Sequence, residues 1–376
     1  MKKSKIKNIV LQSAALILPL LMLIAAAFYQ PQDDVRALSH SHNNSETAEI
    51  DVKKLIFEHV KDSYEWHITT WGSKHISIYL PVILYSERTG WVAFSSSVFH
   101  NVDEYEGFHI AESGNNEGKI VEYDANGKEV RPAIDISITK TVLAVFINAL
   151  LLVVIVLAVA RYYRRRGSSS LEAPRGFVGA FELLVEMVVY DIAKPNIGRR
   201  YLFFAPYLLT AFFFIFLSNL IGLVPFFPGG SNVTGNIAVT MALAICTFLA
   251  VNIFGNKEYW KEILWPDVPV WLKAPIPLMP IIEIFGMFVK PFALMIRLFA
   301  NILAGHTVVL AFVSIIFVTM VVSSVIGGAM TFVSVLFTIF INVLEILVAF
   351  IQAFVFTMLS SVFIGLAQPE HHSEKH

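Results

Sequence analysis

The stretch PFALMIRLFANILAGH, residues 291–306, sets Arg297 in the middle of a long apolar run. Arg keeps its proton inside a protein, whereas a buried Lys can neutralise itself. Between residues 274 and 369 the only formal charges are Glu283, Lys290, Arg297 and Glu345, with His306 as one further titratable group. Ionisable groups inside apolar membrane segments are costly and mark ion pathways or proton relays. Ion pairs that merely fix helix packing are the alternative. Five such groups within two long apolar segments favour an ion path over a packing device.

Steps of seven residues separate Glu283, Lys290 and Arg297, close to two helical turns, so the three share one face, which Asn301 joins four residues on. His306, nine residues past Arg297, falls about half a turn out of phase and should look the other way.

Working outward, 376 residues with 56% hydrophobic and only 15% charged residues describe an integral membrane protein, since soluble domains carry about 25% charge. The single cysteine, Cys246, excludes an intramolecular disulfide and a cysteine-based metal site, and no cofactor is implied. Residues 1–30 combine a basic start, an apolar run and small residues at 25–27, which reads as a signal peptide or an uncleaved anchor. Residues 31–134 turn polar around alternating runs such as HISIYLPVIL (75–84) and WVAF (91–94), giving an exported region with strand content. Seven of the eleven histidines fall there without metal-site spacing, and GNNEGKI (114–120) reads as a turn.

Residues 141–160 carry no charge and are followed at once by RYYRRR (161–166), a span ending in a cytoplasmic anchor. Residues 176–193, with Glu182, Glu186 and Asp191, suit an amphipathic helix at the interface, a soluble linker helix being the alternative. Residues 201–254 lack charge and are interrupted by Pro225, Pro228, Gly229 and Gly230, which predicts a spanning hairpin with an exported turn. Asn232 is the candidate cap of its second helix. The apolar stretches 278–318 and 329–367 far exceed the roughly 20 residues of an upright span, so they should tilt, with a turn at Gly327 and Gly328. Ala300 with Ala304, and Ala349 with Ala353, offer small faces for close helix approach. The expected fold is an all-α polytopic membrane protein with one spanning helix, an interfacial helix, a hairpin and two long tilted helices, plus a small extramembrane region with some β structure. Its divisions are 1–30, 31–134, a membrane domain over 135–367 and a polar tail over 368–376.

RLFANILAGH, preceded by IIEIFGMFVKP and followed by LEILVAFIQAFVFTML, resembles subunit a of the F-type ATP synthase over roughly residues 135–367, as a bacterial member with an exported N-terminal extension. That resemblance implies a non-catalytic stator in the cell inner membrane, one part of a hetero-oligomeric complex. Its implied partners are a c-subunit ring, b subunits of a peripheral stalk and membrane lipid, with no nucleic acid. It implies two aqueous half-channels that couple proton flow to ring rotation and ATP synthesis. It gives Arg297 the meeting with the ring carboxylate, sets Gln352 beside it, and places Asn301, Glu283 and Asn236 along the half-channels. His306 and Glu345 match a relay pair, in the exchanged order familiar from mitochondrial members. A secondary ion-coupled transporter is the rival reading, weakened by the lack of an internal inverted repeat. An exported binding protein with a membrane tail is another.

Overall fold

The computed structural model describes residues 62–71, 74–111, 114, 116–124, 127–166, 174–224, 229–265, 278–322 and 324–368. The expected signal peptide and all of the C-terminal tail beyond Gln368 lie outside the described residues.

The described N-terminal part is built from short antiparallel strands in three small sheets. β1 (Glu65–Trp71) pairs with β2 (Lys74–Tyr79), and β3 (Pro81–Ser86) lies between β4 (Gly90–Ser95) and β9 (Ile134–Asp135). β5 (Glu104–Tyr105), β6 (Phe108–Ile110), β7 (Ile120–Tyr123) and β8 (Glu129–Val130) form the third. Alternation places Val82 and Leu84 of β3 in a small core with Tyr64, Phe108 and Ile120. Burial raises the Tyr64 phenol pKa, so the group stays protonated and donates to Asp135 Oδ2 at 3.0 Å. Between β6 and β7, Gly118 N donates to Ala111 O at 2.8 Å and Lys119 N to Asn116 O at 2.9 Å, as a turn requires.

No linker separates this region from the membrane helices. After β9 the chain runs extended to α1 (Lys140–Arg166), whose first turn is capped from a distant residue. Asp62 accepts from Thr141 N at 2.9 Å and from Thr139 Oγ1 at 2.7 Å. A carboxylate at a helix N-terminus satisfies otherwise orphaned donors and meets the positive end of the dipole. Trp66 of β1 joins the same apolar core as Ala144 and Val145 of α1, so the β region is seated on the helices.

The amphipathic segment forms α2 (Phe177–Glu186), a π-helical turn (Met187–Ala193) and a short α3 (Lys194–Ile197). Phe181, Val185, Val188 and Ile192 are buried on its apolar side. Phe177–Gly222 reads as one 46-residue helical run by length and hydropathy, yet the Phe181 and Phe213 rings stack at 4.4 Å. The chain therefore folds back at Gly198, whose φ of 71° is open to a residue without Cβ. α4 (Tyr201–Gly222) and α5 (Ile237–Ile253) are the two arms of the hairpin, and α5 bends by 101° into α6 (Lys257–Leu264). In lipid every backbone group must be paired internally, which is why these uncharged stretches are helical despite many β-branched residues.

α7 (Leu278–Val322) and α8 (Ser324–Leu366) have 45 and 43 residues, roughly twice the length a 30 Å hydrocarbon layer needs. α7 ends at Val322 and α8 starts at Ser324, so Gly327 and Gly328 lie inside α8 rather than between the two helices. A glycine weakens a helix only modestly, and lipid removes the water that would reward breaking it. The far end of α8 is tied down: Asn256 N donates to Ala367 O at 2.9 Å, and Gln368 Nε2 donates to Phe254 O at 3.3 Å. Arg200 reaches Gln368 Oε1 at 3.5 Å, so α8 ends on the side where α4 begins and α5 ends.

Candidate ion path

Three contacts fix how α7 and α8 run past each other. Lys290 Nζ sits 5.9 Å from the Phe363 ring, the Glu345 carboxylate lies against Gly305, and Phe312 stacks on Phe337 at 5.5 Å. Each advance along α7 is met by a like retreat along α8, the signature of an antiparallel pair. Ala349 and Ala353 are buried, and their small side chains permit the close approach. Eight residues before Gly305, Arg297 is therefore level with the turn of α8 that carries Gln352, which is buried at 5% exposure.

Arg297 itself is exposed on α7, as are Ala293 and Ala300 one turn away on either side and Lys290 two turns away. Glu283 is half-buried. Among the described residues no carboxylate lies within ion-pair distance of Arg297. The chain thus presents an unanswered guanidinium on a surface of small and apolar side chains. At the centre of a bilayer such a charge costs about 2.5–3.5 kcal/mol on an insertion scale.

Bordered on α7 by Asn301 and Ala304, one and two turns past Arg297, is a cavity of about 250 Å³, walled also by α4, the approach to α5 and α8. Its polar lining comprises Ser218, Asn219, Asn232, Asn301 and Glu345. Asn219 Oδ1 accepts from Thr234 Oγ1 at 2.5 Å and Asn232 Oδ1 accepts from Gly235 N at 2.8 Å. Both amide Nδ2 groups are buried with no hydrogen-bond partner among the described residues. A buried donor left unpaired is costly, and water in an adjoining cavity is one way to relieve it.

Along α7, Gly305 at the Glu345 level is about 12 Å from Arg297, while Glu283 is about 21 Å away in the opposite direction. The two carboxylates therefore lie on either side of the arginine along the helix pair.

Of the residues singled out from sequence, the cavity gathers Glu345 and Asn301, while Arg297 and Gln352 share a level beside it. His306 follows Gly305 on α7, and its side chain lies outside the described residues. Asn236 has a different place: its Oδ1 accepts from Ala238 N at 3.0 Å as the N-cap of α5, and it is absent from the cavity lining. Asn232, expected as the cap, lines the cavity with Asn219. Which asparagine faces inward depends on how the hairpin packs against α8, and periodicity around a loop does not fix that.

The family named "ATP synthase A chain" matches residues 142–365, and a "Domain of unknown function (DUF8433)" matches residues 55–141. The chain is 45% identical over 251 residues to ATP synthase subunit a 2 of Chlorobaculum tepidum, covering 64% of this chain and 66% of that one. It is 44% identical over 248 residues to ATP synthase subunit a of Pelodictyon phaeoclathratiforme, covering 65% and 69%. Subunit a of Myxococcus xanthus is 41% identical over 255 residues, covering 64% and 77%. With four described helices long and apolar enough to cross a membrane, or five if the bent α5–α6 pair is one span, this chain belongs to the membrane-embedded ATP synthase subunit a family.

Proposed function

We propose that the chain is the non-catalytic, proton-translocating stator of its ATP synthase, working against a ring of c subunits. The observation that carries this reading is the exposed Arg297 with small neighbours on its face. A charge held where lipid would oppose it needs an anionic partner, and the ionised carboxylate of a ring subunit supplies one at close approach. Arg297 favours the ionised form of that carboxylate and so releases its proton. Being fixed in charge, it also blocks direct passage between the two half-paths.

The cavity around Glu345, Asn219 and Asn232 serves as the half-path from the exported side, with His306 as the partner of Glu345. The Glu283 end of α7 serves the other side, and Gln352 supports Arg297. Asn236 acts through the helix it caps. RYYRRR, Arg199, Arg200, Lys257 and Lys261 make their side cytoplasmic by the excess of basic residues. On this reading the end of α8, tied to α4 and α5 through Gln368, is cytoplasmic as well, and residues 31–134 are exported from the inner membrane. The b subunits of a peripheral stalk hold the assembly against the torque.

Filling the cavity tests the half-path. In vesicles carrying the membrane sector stripped of its soluble head, Asn219→Leu with Asn232→Leu should slow passive proton conduction by about tenfold. Ring assembly should remain. Undiminished conduction by assembled complexes would remove the cavity from the path.

A further inference from the structure

We propose that Gly305 is a positioning residue, whose bare backbone seats the Glu345 carboxylate on the wall of the cavity; the proposal rests on the ion-path reading above. A glycine inside a helix costs about 1 kcal/mol relative to alanine, so one in the middle of α7 calls for a reason. Conformational freedom is not that reason, because Gly305 is not among the residues with positive φ. Nor is it a general property of the long helices, since a Cβ on Gly286 or Gly328 would meet nothing within 4 Å. At Gly305 a Cβ would run into Glu345 Oε1, with Cδ and Cγ of the same side chain next at 3.2 and 3.4 Å. The missing methyl is the space the carboxylate occupies.

From this seat Glu345 shares the cavity with Asn301 of the same helix as Gly305 and with Asn219 and Asn232 across from it. The obstacle to a Cβ is the far end of a flexible side chain rather than backbone. Gly305→Ala should therefore fold and assemble while moving the carboxylate out of place. A misplacement near 1 Å in a reacting group can cost a large factor in rate.

The test compares four assembled complexes: unmodified, Gly305→Ala, Glu345→Asp, and both changes together. In gradient-driven ATP synthesis, Gly305→Ala should be slower by about tenfold, at unchanged complex yield and unchanged hydrolysis by the detached head. Aspartate is one methylene shorter and fits beneath a methyl, so the double variant should recover several-fold over Gly305→Ala. A residue that served only helix packing would gain nothing from a shorter carboxylate. Normal synthesis in Gly305→Ala overturns the proposal, as does a loss, whether of rate or of assembly, that Glu345→Asp leaves unrelieved. Glu345→Gln, measured beside them, separates the two levels: if it synthesises ATP normally, the ion-path role of Glu345 fails, whatever Gly305 does.

Discussion

Replacing Arg297 by alanine should reduce gradient-driven ATP synthesis at least about a hundredfold, the scale on which fixed charges act in water-poor sites. Assembly and hydrolysis by the detached soluble head should persist. The reason lies in where the residue stands: exposed on α7, without an acidic partner among the described residues, level with Gln352, and between the Glu345 and Glu283 ends of the path. Under the proposed function a ring carboxylate answers this charge, so its loss should disturb coupling rather than folding. Arg297→Lys should fail as well, because an ammonium presents a point charge in place of the planar fork and can shed its proton when desolvated. Rates near normal in stably assembled Arg297→Ala complexes would make the charge structural.

The second large effect concerns Glu345 and His306. Gly305 touches Glu345, and His306 is the next residue on α7, so the two titratable positions meet at one level of the helix pair. Glu345→His and His306→Glu, made singly, should each impair proton-driven synthesis severely, since each leaves two like groups at one level. The double exchange should retain more activity than either single change, a non-additivity expected of residues that share one role. A double variant no better than the worse single one would separate them.

The membrane fold was legible because hydropathy, basic flanks and charge-free runs are strong local signals, and lipid enforces helix wherever they occur. Arg297 was legible for the same reason, as a charge has few excuses in residues 278–322. The cavity was not. Asn219, Asn232 and Asn236 lie within one uncharged stretch, and their separation into a lining pair and a helix cap follows from packing between α4, α5 and α8. The cap itself carried a signal, an asparagine two residues before the alanine whose N–H it accepts. Gly327 and Gly328 suggested a turn by their chemistry, yet the helix continues through them. The corner between the interfacial segment, ending at residue 193, and the hairpin, starting at 201, was legible, but the turning point at Gly198 is fixed only by its positive φ.

The most direct test of the account is proximity between the Arg297 face and the ring. With Cys246 replaced by serine, a cysteine at Ala300, exposed one turn from Arg297, should form a disulfide with a cysteine placed next to the ring carboxylate in assembled complexes. That cross-link should stop gradient-driven synthesis until it is reduced. Assembled, active complexes in which Ala300→Cys never cross-links to the ring would show that this face meets lipid or another subunit, and would contradict the role proposed for Arg297.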